Sequence, residues 1–301
     1  MRADTLDRGG HLQAWLGRLA YAQVLLAGAA AVGTWMVQVL ARLPPRPEPI
    51  VAVGLVFFSI YALDRVAAEP ETDTLNHPER ERFVRRHART LLGLALAAYV
   101  VALGLAAREG RVGVLLLPLV AVLLYSFPFV PRPLAPWLGF RRLKDILVIK
   151  NVVVAATFAT TLTLAPVPLS GAGAAAVPTL GAFWLFLFVR FFANSLVFDV
   201  RDEHGDRLQG IRTLPVVMGA RRTRRLLLGL NLALGGFTLI VPLLGWAPPA
   251  FAALAVGTPF AMGYLRRMAE PGSLHFLCDV VVDGELYVAG LAFLCVRCML
   301  P

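Results

Sequence analysis

The sequence predicts an all-α membrane protein, a bundle of nine transmembrane helices. Two observations carry this. Of 301 residues, 58% are hydrophobic and 16% charged, whereas soluble domains hold roughly 45–50% apolar and about 25% charged residues. The apolar residues also gather in nine long runs, separated by polar or Pro/Gly-rich stretches. The formal net charge of +10 does not signal nucleic acid. Its positive residues are spread over loops beside apolar runs, where they set topology and meet anionic headgroups, and no basic arm carries interleaved aromatics.

In chain order, residues 1–14 are polar, and a first span covers 15–40. That run is too long for the apolar core of a cleavable signal. The turn ARLPPRPEP leads to a second span, 50–63, which ends at Asp64. A polar loop follows, then spans at 90–107 and 112–130 joined by REGR. The Pro-rich PRPLAPWLGFRRLK connects to span five, 145–165, and a Gly/Ala turn to span six, which ends at Phe198. Spans seven to nine cover 226–244, 251–265 and 280–299. Spans two and eight are short for the roughly 20 residues a bilayer needs. The whole of 1–301 reads as one domain, with polar loops at about 64–89 and 199–225.

Charge sorts these loops into two sets. The N-terminal region, counted through Arg18, and loops 2–3, 4–5, 6–7 and 8–9 hold 22 of the 29 basic residues. The positive-inside rule puts them in the cytoplasm, with the C-terminus outside. The expected location is a bacterial inner membrane, with all polar chemistry on its cytoplasmic side.

That chemistry centres on Asn194–Gly219, NSLVFDVRDEHGDRLQGIRTLPVVMG. Asp199, Asp202 and Asp206 are spaced i, i+3, i+7, so on a helix they lie within roughly 60° of one another. Such a cluster repels itself unless a cation sits in it, and hard oxygen ligands suit Mg²⁺. Arg201, Arg207, Arg212, Arg221 and Arg222 crowd the same segment. Carboxylates for a metal and arginines for an anion together fit a diphosphate. Lys150 and Asn151 in span five, and Arg190 and Asn194 in span six, add polar groups within the apolar runs. Arg190 lies nine residues before Asp199, about 13 Å deeper along a helix. Ionisable groups at such depth face a bundle interior and work there.

The stretch DVRDEHGDRLQGIRTLPVVMG resembles the second aspartate-rich motif of the UbiA superfamily of intramembrane prenyltransferases. Asp199, Asp202, Asp206, Gly210, Arg212, Thr213 and Gly219 match it. The loop after span two resembles the family's first motif through Asp64, Asp73, Asn76, Pro78 and Arg80. Ile60 stands where that motif has its leading Asn, and the step from Asp64 to Asp73 is about five residues too long. YSFP at 125–128 and RRLKD at 141–145 resemble the family's Y-S-x-P and K-R region.

The resemblance implies a helical bundle around a central cavity open to the cytoplasmic side. It implies Mg²⁺-dependent transfer of a polyprenyl group from a prenyl diphosphate to an aromatic or other lipophilic acceptor. The metal-binding and catalytic set is then Asp64, Asp73, Asp199, Asp202 and Asp206. The substrate-binding set is Asn76, Arg80, Tyr125, Lys144, Lys150, Arg190, Asn194 and Arg212. Because Pro70 stops a helix, the loop is expected to return Asp73 towards Asp64, with Glu69 or Glu71 outside the metal's ligands. Two alternatives stand beside this reading. One is a same-fold terpene cyclase or diphosphate hydrolase without a separate acceptor; the other is a non-catalytic lipid-binding membrane protein.

Two other features are read structurally. Cys295 and Cys298 form a C-x-x-C inside an apolar run with no second pair, and read as buried inert thiols. Asp279, Asp283 and Glu285 open span nine. They read either as lining for a cavity mouth or as acids favoured by a helix dipole.

Overall fold

The computed structural model describes residues 15–67, 77–126, 130–131, 133–134, 137, 146–168, 170–208, 210–268 and 276–299, with the side chains of 125 and 126 excepted. Among them there are helices and no strand. The chain begins with α1 (Trp15–Tyr21), set at 74° to α2 (Val24–Leu40). The expected first span is therefore broken, at Gln23, whose φ of 63° is left-handed. Then come α3 (Pro47–Ala67), α4 (Pro78–Arg108), α5 (Val112–Ser126) and α6 (Ile149–Leu164). Pro78 opens α4 at a position where the missing N–H costs nothing. After a short 3₁₀ turn, α7 runs from Val177 to Leu208. Its 32 residues span about 48 Å, more than the roughly 30 Å of hydrocarbon, so its acidic end projects beyond the apolar layer.

Next are α8 (Leu214–Met218), α9 (Ala220–Leu243), a 3₁₀ run (Pro249–Val256), α10 (Gly257–Arg267), a π-turn (Leu277–Val282) and α11 (Glu285–Met299). Among the described residues four helices are long and apolar enough to cross a membrane, α3, α4, α7 and α9, and a fifth if α1 and α2 form one bent span. The stretch 112–124 and α6 are shorter apolar helices. The expected eighth and ninth spans are less regular than the sequence suggests. The eighth is a 3₁₀ run passing into α10, and the ninth opens as a π-turn.

Neighbours in sequence pack as neighbours in space: α3 lies against α2 and α4, α6 against α5 and α7, and α9 against α7. The last helix, α11, packs back on α2 and closes the ring. Tyr287 donates to the Leu25 carbonyl across that seam at 2.9 Å, and Trp35 meets Phe293 edge-on. Gly28 leaves the space that the Tyr287 hydroxyl occupies. Leucines and valines point outward along α4, α9 and α11, Val100, Leu243 and Leu291 among them, as lipid-facing surface should. Thr34, Ser59 and Thr161 are buried and donate to the carbonyl four residues back, which satisfies their hydroxyls without water. Cys278 is buried, but Cys295 and Cys298 are exposed on α11. Both point away from the bundle, because the packed stripe of α11 runs through Leu286, Ala289, Gly290 and Phe293.

Candidate active site

The acidic face of α7 turns inward, onto the first turn of α6 and the start of α4. Lys150 on α6 reaches Asp199 at 2.5 Å. Asn151 donates to Asp199 Oδ2 at 3.0 Å and to Ser195 Oγ at 2.7 Å. One turn further, Asp202 accepts both Nε and Nη2 of Arg201 at 2.9 Å, a bidentate pair between chain neighbours. His77, just before α4, lies 3.0 Å from Asp202 Oδ1. Burial pushes the His77 imidazole down to about 4, so the ring is neutral near pH 7. Arg201 also reaches Asp279 in the π-turn at 3.0 Å, and Arg80 stands 3.7 Å from the same oxygen. Asp206 is buried a turn beyond.

There α7 ends, and Gly210, at φ 70°, turns the chain. Arg212 is exposed beside it and Thr213 is buried. Glu203, at the rim of the acidic face, pairs with Arg207 near the surface.

Beneath this head lie two adjoining cavities. The first, of about 150 Å³, is lined by Asp64 at the end of α3 with Tyr61, Val154 and Phe158. Those three side chains also bound the second, of about 60 Å³, which reaches Arg190, Asn194, Phe198 and Asp283. Aromatic rings form part of the wall, Phe57, Tyr61, Phe158, Phe191 and Phe198 among them. Phe57 and Phe158 centroids are 4.5 Å apart, and Phe158 meets Phe191 edge-on at 5.7 Å. Asn194 Oδ1 is buried with no hydrogen-bond partner among the described residues, a polar atom beside an apolar cavity. Arg190 closes the deep end. It lies 2.7 Å from Glu285, donates to Asn231 at 2.5 Å, and is 2% exposed.

Asp64, Arg80, Lys150, Arg190, Asn194, Asp199, Asp202 and Asp206 thus gather along α7 and the helices facing it, with Arg212 at the outer edge. Asp73, Asn76 and Lys144, with Glu69 and Glu71, lie outside the described residues, as does the Tyr125 side chain. Sequence reasoning gave His77 no role, and named Arg201 and Asn151 as polar groups near the site without placing them in either residue set. The span-nine acids do more than favour a helix dipole, although Glu285 does stand in the first turn of α11 and Asp279 in that of the π-turn. Asp279 pairs with two arginines, Asp283 lines a cavity, and Glu285 neutralises Arg190. The available signal was Arg190 itself, because a buried guanidinium needs an acid. Among the described residues no three Asp, Glu, His or Cys side chains stand close enough together to enclose an ion.

A helical membrane bundle whose aromatic cavities end in buried carboxylates and guanidiniums is built to hold an amphiphile with a charged head. The UbiA prenyltransferase family model matches residues 50–273, and the chain belongs to that family: it is an integral membrane prenyltransferase. It is 26% identical over 230 residues to a digeranylgeranylglyceryl phosphate synthase of Thermococcus gammatolerans, covering 74% of this chain and 76% of the relative. It is 30% identical over 227 residues to the enzyme of the same name from Methanopyrus kandleri, covering 68% and 75%. Two solved structures share the fold. A digeranylgeranylglyceryl phosphate synthase superposes with a TM-score of 0.53 at 13% identity, covering 93% of this chain and 96% of its own. A UbiA homolog from Archaeoglobus fulgidus bound to DMAPP and Mg²⁺ gives 0.52 at 14%, covering 93% and 98%.

Proposed function

We propose that this enzyme transfers a polyprenyl group from a prenyl diphosphate to a lipophilic acceptor within the membrane, with Mg²⁺ as cofactor. The observation that carries this is the placement of an aromatic cavity directly below the Lys150–Asp199–Asn151 cluster, the two being joined through Ser195. A prenyl chain has its apolar wall there, and a diphosphate has cations at the open end. Lys150, Arg80 and Arg212 bind diphosphate oxygens, and Asn76, Tyr125, Lys144 and Asn194 complete the substrate contacts. Arg190, already paired with Glu285, fixes the floor of the cavity.

The donor set fits Mg²⁺ in a particular way. Asp199, Asp202 and Asp206, with Asp64 on α3 and Asp73 as the motif's further acid, would offer carboxylates one or two at a time. Mg²⁺ usually takes that number and fills its shell with water and substrate phosphate. When bound it neutralises charge on the leaving diphosphate. The chain's own part is to hold the diphosphate against Lys150 and Arg80 and to exclude water from the cavity. The π faces of Phe158, Phe191 and Phe198 shield the allylic cation left when the C–O bond breaks.

The names of the two relatives favour a geranylgeranyl donor and a glyceryl phosphate lipid as acceptor. The shorter helices then complete a nine-span bundle, its polar mouth and N-terminus cytoplasmic and its C-terminus outside.

The test is an assay of purified protein with geranylgeranyl diphosphate, Mg²⁺ and a panel of glyceryl phosphate and aromatic acceptors, read by mass spectrometry. Transfer should require Mg²⁺, and Asp202→Asn and Asp206→Asn should each lower it roughly 10²–10³-fold, the scale of losing one transition-state electrostatic contact. A prenyl alcohol or cyclised product from donor alone, with no adduct from any acceptor, would favour the acceptor-free alternatives. Full turnover by either variant across a Mg²⁺ titration would remove the second motif as the metal site.

A further inference from the structure

Two concavities outside the site share one wall. The first, of about 710 Å³, is lined by Arg18 on α1 and by Glu79, Arg82, Phe83, Arg86 and His87 on α4. It sets three guanidiniums against one carboxylate. None of the three arginines makes an ion pair among the described residues; Arg82 only donates its Nε to the Pro78 carbonyl, at 3.1 Å. His87 is held by the Phe83 carbonyl at 2.9 Å.

The second, of about 630 Å³, is apolar and lies between α2, α3 and α4. Small residues of α2 and α3, among them Ala27, Gly28 and Gly54, make room for it. On α4 the positions 83, 87, 94, 98 and 101 fall within roughly 60° of one another, with Ala97 and Arg86 flanking them and Arg82 about 100° round from Phe83. The basic groove and the apolar one therefore follow one stripe of one helix, about 27 Å from Phe83 to Val101.

The surroundings indicate where this stripe sits. Polar residues of α4 give way to apolar ones near Thr90, so the guanidiniums stand at the edge of the hydrocarbon. The bent helix α1 presents Trp15, 57% exposed, in the manner of an interfacial anchor.

We propose that the two concavities form one site for an anionic phospholipid of the bilayer. Its phosphate lies among Arg18, Arg82 and Arg86, and one acyl chain runs down the apolar groove. Guanidinium groups match phosphate geometry and charge, and a groove open to the bilayer at exposed Ala97 admits a chain sideways. The bound lipid ties α1 to α4 across a gap that side chains leave open. The same first turn of α4 carries Arg80 into the active site, so the lipid braces the site's outer wall.

Native mass spectrometry of the delipidated full chain, titrated with phosphatidylglycerol or phosphatidylcholine of equal chain length, tests this. Wild type should retain one phosphatidylglycerol in preference to phosphatidylcholine. The double variant Arg82→Gln/Arg86→Gln should weaken phosphatidylglycerol binding roughly tenfold and leave phosphatidylcholine unchanged. Arg82→Lys/Arg86→Lys should keep most of the preference. Ala97→Trp, which fills the groove from its exposed side, should weaken both lipids. Equal retention of the two lipids by wild type would overturn the proposal without any variant. So would unchanged binding in the glutamine pair or in Ala97→Trp. Recovery of a prenylated phosphate in this groove, in place of phospholipid, would also overturn it and assign the stripe to the substrate path.

Discussion

Each carboxylate on the inner face of α7 answers to a different partner. Asp199 meets Lys150 and Asn151, Asp202 meets Arg201 and His77, and Asp206 stands buried beyond both. A bare row of acids would repel; a row in which cations answer the first two holds its shape before substrate arrives. His77 matters most for how this depends on pH. Its ring is neutral when folded and takes a proton only near pH 4, whereas a histidine in the unfolded chain does so near 6.5. Below that value the unfolded state binds more protons. The contribution to stability is therefore full above about pH 6.5 and lost as pH falls towards 4, by up to roughly 3 kcal/mol. Thermal unfolding in detergent should show a steeper decline between pH 6.5 and 4.5 for wild type than for His77→Gln. Equal slopes would mean that His77 is protonated as readily in the fold as outside it.

At the scale of helices, most of the architecture was legible. Apolar runs, proline punctuation and the i, i+3, i+7 aspartates located α3, α4, α7 and α9 and the face that carries the site. The irregular elements were not legible. Nothing local in Tyr21–Val24 announces a 74° bend or the left-handed backbone of Gln23. The π-turn at 277–282 is likewise invisible to a 3.6-residue period, and it sets the directions of Asp279 and Asp283. The pairing of Arg190 with Glu285 joins residues 95 apart in sequence, which no periodicity reports. That pair gives a sharp test. Glu285→Ala leaves a guanidinium buried without its acid, a loss of about 3–5 kcal/mol. Gly257→Ala would bring a Cβ to 2.8 Å from Arg190 Nη2 and 3.3 Å from Glu285 Oε1 and should also destabilise, by about 1–3 kcal/mol. Denaturation of both variants in detergent measures this. A Glu285→Ala protein as stable as wild type would mean that the arginine finds water or another partner.

Across the whole molecule, most charge gathers at one end, with a smaller group around the Arg46–Glu109 pair at the other. The acidic network, the basic groove and the arginine-rich start of α9 lie together, while Leu243, Leu244 and Trp246 stand exposed at the far end of α9. Single cysteines at His204 and at Leu244, in a background lacking the three native cysteines, should therefore label from opposite sides of the membrane, His204 from the cytoplasm. Labelling of both from one side would invalidate α9 as a crossing helix. The seam between α11 and α2 has a consequence for how the protein is made. Tyr287 is bonded to Leu25, so the ring is sealed only when α11 joins α2 across 262 residues of chain. Until then the earlier helices wait in the bilayer with the groove for α11 open to lipid, and the cavity has no complete wall. The enzyme can complete its reaction chamber only once α11 has packed beside α2, because Leu286 of α11 forms part of the cavity wall.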